Sequence, residues 1–325
     1  MAQILKPEKK NIELAANILK SGGVIAFPTE TVYGLGANGL NPISVAKIFE
    51  IKNRPFFDPV ILHICRKDDI KKLWKKIDER AEKLIEKFWP GPLTIILPKT
   101  EIVPYIVTAG LETVAIRMPS HPVALEILKE VDFPVAAPSA NLFGRLSPTT
   151  PEHVNKQIGN KIEIIIDGGK CPIGIESTVL DLTTEKNIIL RPGGLPKEEI
   201  EKVIGKVEFA EKTNHISSPG QLPSHYSPKT PLKIIKDYKE IDKNLKAGLL
   251  AFKLPPEKIK DYVIAIEILS EKGDLKEAAS NFFSALHKLD NLNLDIIYAE
   301  PVPQEGLGIA IMDRLKKAEK KFIKS

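Results

Sequence analysis

Four short segments of this sequence concentrate residue types that bind and activate anions. The first is Pro28-Thr29-Glu30-Thr31-Val32-Tyr33-Gly34-Leu35-Gly36, which supplies hydroxyls, a carboxylate and two glycines directly after an apolar run at 24–27. Loops leaving the strands of α/β sheets are where ligands usually bind. The same glycines would also serve a tight turn needing positive φ. The second is Lys52-Asn53-Arg54-Pro55. Proline disfavours helix at the residue before it, so the segment reads as extended, and positions i and i+2 would present Lys52 and Arg54 to one ligand. The third is Pro138-Ser139-Ala140-Asn141, where the same spacing aims a hydroxyl and an amide to one side. Such groups bind phosphate oxygens or a Mg²⁺-bound water, or else cap a helix. The fourth is a set of strand-end residues: Arg117, Ser177-Thr178, and Arg191-Pro192-Gly193-Gly194. An arginine at a strand end suits a bidentate carboxylate or phosphate contact. His63 lies inside an apolar run at 60–64, the setting of a core histidine more often than a catalytic one.

The elements that must position these groups follow from apolar periodicity. Helices are expected over 11–20, from Pro42 behind an Asn41 cap, over 78–88 and over 123–131, with strands at 24–27, 60–64, 93–97, 113–117, 134–137, 162–166, 177–182 and 188–190. Residues 29–40 read as loop. Many strands with irregularly placed helices indicate one mixed α/β domain over 1–210. Residues 211–231 hold Ser217, Ser218, Pro219, Gly220, Pro223, Ser224 and Pro228 without periodicity, as a linker or a functional lid does. Beyond it, strands at 232–235, 248–252, 262–266 and 296–299 alternate with helical segments, the clearest over 274–289, which gives a smaller Rossmann-like α/β domain over 232–325. Gly306-Leu307-Gly308 lacks a third glycine and reads as a turn before the last helix.

Composition narrows the function classes. The 325 residues carry 47 basic and 42 acidic side chains, a formal net charge of +5, too small an excess to mark a nucleic-acid protein. Two distant cysteines, Cys65 and Cys171, offer neither a zinc motif nor a disulfide framework, as expected in a reducing compartment. No apolar run approaches the length of a bilayer span and no signal-type h-region follows Met1, so a cytoplasmic protein without membrane contact is expected. Walker A, GxSxG and kinase signatures are absent, so any ATP must be cradled another way.

Taken together, the segments resemble the Sua5/YrdC family, the L-threonylcarbamoyladenylate synthases. The likeness rests on PTETVYGLG at 28–36, the Lys52-x-Arg54 and Ser139-x-Asn141 pairs, STV from Ser177 and RPG from Arg191. It covers roughly residues 5–205 as a YrdC-like domain built on a twisted mixed sheet. The linker, with Ser224-His225-Tyr226-Ser227, and the C-terminal domain resemble the longer Sua5 type, by architecture more than by motif.

The resemblance implies a nucleotidyltransferase that joins L-threonine, bicarbonate (or CO₂) and ATP into L-threonylcarbamoyl-AMP and pyrophosphate. The product feeds threonylcarbamoylation (t6A) of an adenosine in tRNAs reading ANN codons, through a separate transferase. Lys52, Arg54, Ser139 and Asn141 are the implied catalytic group. Thr31, His63, Arg117 and Ser177 are the candidates for threonine. Ser147, Arg191 and Tyr226 join the catalytic group around ATP, with Mg²⁺ arriving alongside the nucleotide and Tyr226 folding over as part of a lid. The chemistry needs no protein nucleophile; it needs charge neutralisation, because a dianionic carbamate must approach a polyanion. Two other readings use similar residues: a YrdC-like module adenylating carbamoyl phosphate, and an RNA-binding module whose cleft holds a phosphate backbone, with direct tRNA contact.

Overall fold

The structure is a computed structural model that describes residues 1–211 and 226–322. Among these, eleven strands form one mixed sheet and four form a second, all-parallel sheet. In chain order the strands of the large sheet are β1 (Gln3–Leu5), β2 (Ile25–Phe27), β3 (Gly34–Asn38), β4 (Leu62–His63), β5 (Leu93–Pro98), β6 (Thr113–Arg117), β7 (Val135–Ala136), β8 (Ile164–Ile166), β9 (Thr178–Asp181), β10 (Ile188–Arg191) and β11 (Glu208–Phe209). Their spatial order is β1-β8-β2-β3-β7-β4-β6-β5-β9-β10-β11. Strands distant in sequence are therefore neighbours, and the ends of β2, β4, β6, β7, β9 and β10 carry the candidate residues into one region.

The expected loop at 29–40 is corrected, because Gly34–Asn38 is a strand pairing antiparallel to β2 and β7. Neither Gly34 nor Gly36 is among the glycines with positive φ. Gly36 is instead closely packed by side chains: a Cβ there would lie 2.7 Å from Phe27 and 2.9 Å from Val135. A strand this rich in glycine carries no β-branched signal.

Helix Pro42–Lys52 starts where Asn41 accepts hydrogen bonds from the Ile43 and Ser44 amides, and ends on Asn53 in the left-handed region (φ 51°). This corrects the extended reading of Lys52-x-Arg54. Lys52 is the last helical residue, the chain reverses at Asn53, and the two cations leave in different directions. The helices expected over 11–20, 78–88 and 123–131 are Lys9–Lys20, Glu79–Phe88 and Pro122–Lys129. Two helices that periodicity did not single out, Pro151–Ile158 and Lys197–Ile204, complete the layers. Ile12, Leu19, Ile127 and Leu128 cover one face of the sheet, and Val45, Ile48, Phe49 and Leu84 the other.

The small sheet consists of β12 (Leu232–Ile234), β13 (Ala247–Ala251), β14 (Ala265–Ile268) and β15 (Ile296–Ala299), in the order β12-β15-β13-β14. The strand expected at 262–266 begins three residues later, because a 3-10 turn over Glu257–Asp261 is closed at Tyr262. Helix Leu275–Asp290 is capped by Asp274, whose side chain accepts from the Glu277 amide. The last helix, Leu307–Lys320, follows Gly306 (φ 49°), as the turn reading required.

Of the expected linker, Ser217, Ser218, Pro219, Gly220, Pro223, Ser224 and His225 lie outside the described residues. At Tyr226 (φ 65°) the chain is packed again, with Ser227 bridged to Arg145. One apolar cluster spans both domains: Val32, Leu146 and Ile175 pack with Tyr226, Phe282, Phe283, Leu286 and Ile311. Burial on this scale supplies the main driving force for docking, at roughly 25 cal/mol per Å² of apolar surface.

Candidate active site

A cleft opens where the strand ends converge. Thr31, Arg54, His63, Arg117, Ser139, Ser177, Arg191 and Tyr226 all line it. Lys52, Asn141 and Ser147 stand one layer behind its wall, each no more than 1% exposed.

The Lys52 ammonium donates to the carbonyl oxygens of Ser139 and Asn141, both at 2.5 Å. It thus holds the loop that aims Ser139 into the cleft. Burial, then the neighbouring Arg54 charge, pushes the Lys52 pKa well below its ordinary value, with Asp58 opposing. Asn141 acts on the same loop, donating to the carbonyls of Leu142 (2.8 Å) and Arg145 (3.0 Å). Lys52 and Asn141 thus stand behind the Ser139 loop rather than on the cleft surface.

Arg54 does reach the cleft. Its guanidinium donates to the Asp58 carbonyl (3.0 Å) and the Pro59 carbonyl (2.6 Å) and pairs with the Asp58 carboxylate at 2.9 Å. A buried cation so anchored is held at one orientation. Arg117 was expected to offer an open fork. Instead Nε donates to the Gly91 carbonyl (3.2 Å) and Nη1 to Thr31 Oγ1 (2.9 Å), while Nη2 forms an ion pair with Glu30 at 2.7 Å without the alignment of a hydrogen bond. Arg117 lines the cleft, so a ligand carboxylate there would meet its guanidinium. Beside Arg117, His63 is held neutral, its pKa pushed down to about 3 by burial and then by the arginine.

On the opposite wall, Arg191 donates to the Ser177 carbonyl (2.8 Å) and hydroxyl (3.1 Å), and that hydroxyl also meets Thr94 Oγ1 at 2.8 Å. The turn after Arg191 approaches this strand backbone to backbone. A Cβ on Gly193 would lie 2.4 Å from the Glu176 carbonyl oxygen. Ser147 donates to Glu176 Oε1 at 2.5 Å, and Glu176 Oε2 pairs with Arg314 of the last helix at 3.0 Å. Burial pushes the Glu176 carboxyl up, but Arg314 and then Arg191 outweigh it, so it is ionised below the usual carboxylate range. Burial pushes the Tyr226 phenol up to about 12.

Sequence reasoning missed Asp58, Glu176 and Arg314 as members of this site. For Asp58 and Glu176 nothing in the residue types stands out. Arg314 did leave a signal: it falls on the apolar stripe of its helix with Leu307, Ile311 and Ala318, where a cation is out of place.

Known proteins share this fold. A family model described as telomere recombination (Sua5, YciO and YrdC proteins) matches residues 17–193, and one described as the threonylcarbamoyl-AMP synthase C-terminal domain matches 195–319. The threonylcarbamoyl-AMP synthase of Pyrococcus abyssi is 43% identical over 96% of this chain and 94% of its own length. The chain belongs to the Sua5/YrdC family. The Bacillus subtilis threonylcarbamoyl-AMP synthase is 42% identical over 97% of this chain and 94% of its own. The crystal structure of P. abyssi Sua5 complexed with L-threonine superimposes with a TM-score of 0.92 at 41% identity, covering 98% of each chain. The Sua5/YrdC fold thus extends over both domains, and the cleft lies in the first, with one arginine of the second pairing with Glu176 of its wall.

Proposed function

We propose that this cleft makes L-threonylcarbamoyl-AMP and pyrophosphate from L-threonine, CO₂ (or bicarbonate) and ATP. The observation that carries this reading is the convergence of Arg54, Arg117 and Arg191 with a neutral histidine in one cleft. Three fixed guanidiniums suit two anions that must be pressed together. The whole-chain likeness to threonylcarbamoyl-AMP synthases, C-terminal domain included, favours this over adenylation of carbamoyl phosphate or RNA binding.

Threonine's carboxylate is assigned to Arg117 and Thr31, and its hydroxyl and amine to Ser177 and His63. A neutral His63 puts no positive charge against the amine. The amine lone pair forms an N–C bond to CO₂ and loses a proton to solvent, leaving a carbamate. A carbamate oxygen then forms a bond to the α-phosphorus as the bond to the β-phosphate oxygen breaks and pyrophosphate leaves. Arg54, Arg191 and Ser139 are assigned to the phosphates, with Lys52 and Asn141 fixing the Ser139 loop. Ser147 and Tyr226 complete the nucleotide wall.

Mg²⁺ fits as a passenger on the triphosphate. The carboxylates at the site are each paired with an arginine, and no cluster of three acidic, histidine or cysteine ligands occurs among the described residues. Phosphate oxygens, water and the Ser139 hydroxyl would hold the ion, which when bound draws charge off the phosphates. The product would pass to a separate transferase that modifies tRNA, so direct tRNA binding is not required of this chain. A cytoplasmic setting is part of this proposal, supported by two cysteines that are free thiols, as a reducing compartment keeps them; among the described residues no helix is long and apolar enough to cross a membrane.

Omitting each substrate in turn tests the reading. Pyrophosphate release should need ATP, threonine and bicarbonate together. Release undiminished without threonine would refute it, and retention of tRNA that weakens steeply with salt would instead favour the RNA-binding alternative.

A further inference from the structure

We infer that Arg314, contributed by the C-terminal domain, is a positioning residue for the nucleotide wall of the cleft. The inference rests on ATP occupying that wall, as proposed above. Arg314 is 0% exposed although it belongs to a helix of the smaller domain. Its Nη2 and Nε both meet Glu176 Oε2, at 3.0 and 3.2 Å. Its Nη1 donates to the Pro192 carbonyl at 2.6 Å and to Asp313 at 3.0 Å, and its guanidinium lies 4.9 Å from the Tyr226 ring centre.

One side chain therefore joins three parts of the wall: the carboxylate that holds Ser147, the turn that follows Arg191, and the aromatic ring. The charge argument decides what it does there. Glu176 lines a cleft that must accept a polyanion. Unpaired, that carboxylate would repel the phosphates in a setting where screening is weak. Arg314 cancels the repulsion while leaving Glu176 free to fix Ser147 through its other oxygen. The smaller domain thereby makes the cleft electrostatically fit for nucleotide, a role that apolar docking alone does not provide.

The test compares full-length wild type, R314K, R314M, E176Q and R314M/E176Q by pyrophosphate release, with KM for ATP and for threonine determined separately and thermal unfolding recorded. R314M should raise KM for ATP at least tenfold and change KM for threonine less than twofold. Adding E176Q should recover most of the ATP affinity, since an amide needs no counter-ion, and R314K should fall between. An unchanged KM for ATP in R314M overturns the proposal. If R314M does not fold, the double variant decides: folded, with KM for ATP within threefold of wild type, it supports the charge role. A double variant that is unfolded, or folded with ATP affinity still lost, shows Arg314 to be a scaffold residue and overturns it. Wild type assayed in parallel separates this outcome from failure of the ATP reading itself, which would appear as no saturable ATP-dependent pyrophosphate release from the wild type.

Discussion

A lysine enclosed by protein must direct its charge at something, and Lys52 directs it at two backbone carbonyls rather than at a ligand. Replacing it with methionine removes the cost of burying an ammonium and leaves the Asn141 carbonyl without that donor, at about 1–3 kcal/mol, while the Ser139 carbonyl keeps the Asn141 amide at 3.0 Å. Lys52→Met is accordingly expected to lose about 1–3 kcal/mol of stability in urea unfolding. Turnover should fall about 100-fold, equivalent to roughly 2.7 kcal/mol of barrier, because Ser139 loses its support. A folded variant with wild-type pyrophosphate release would show that the loop holds itself. The sequence made this pair legible as a neighbourhood and misjudged its geometry. The i, i+2 argument assumes an extended chain, and a left-handed Asn53, a residue type that tolerates that region at helix ends, breaks the assumption. Likewise Arg117 was readable as a cation at a strand end, whereas Glu30, its partner across 87 positions of chain, was readable merely as one more motif residue.

At the scale of elements, two glycines that look alike in sequence do different work. Around Gly36 the crowding atoms belong to the side chains of Phe27 and Val135, which can shift by rotation. Around Gly193 they are the backbone of Glu176 and Ser177, within 2.4–2.5 Å of a would-be Cβ, and the Glu176 carbonyl already accepts from the Gly194 amide at 2.9 Å, so this close approach yields poorly. Overpacking typically costs about 1–3 kcal/mol. Gly36→Ala should fall near the low end with activity largely kept. Gly193→Ala should fall at or above the high end and, by parting Arg191 from Ser177, reduce pyrophosphate release at least tenfold. Denaturant midpoints and turnover measured on both variants check the order; equal effects on activity would remove the backbone argument. Helices with a clear apolar stripe were legible within two or three residues. The strand at 34–38 and the pairing of β5 with β9 were not, since the former lacks branched residues and the latter joins segments that local pattern cannot relate.

For the molecule as a whole, the contact between domains carries its own acid sensitivity. His287 of the smaller domain stacks on His153 of the larger at 3.9 Å between ring centres, and its Nε2 meets the Ser147 carbonyl at 3.1 Å. Burial, then the facing His153, pushes the His287 pKa down to about 3; burial lowers His153 to about 4, with Glu152 opposing and Lys156 assisting. Both rings are thus neutral when folded, while an unfolded chain protonates them near 6.5. Below that value the unfolded state binds more protons, so stability is fully present above pH 6.5 and is lost as pH falls toward 3–4. One pKa unit corresponds to about 1.4 kcal/mol, so at pH 5 His287 alone should cost about 2 kcal/mol. Glutamine keeps a donor for the Ser147 carbonyl but does not titrate. His287→Gln should therefore weaken the protein slightly at pH 7.5 and reduce its loss of stability between pH 7.5 and 5 by about 2 kcal/mol, measured by chemical unfolding at each pH. His63, buried beside Arg117, would keep its own share of the slope in that variant. Parallel stability curves for wild type and variant would mean that the stack does not govern docking. Because the same contact holds the backbone of Ser147, acid should impair nucleotide binding before the larger domain unfolds.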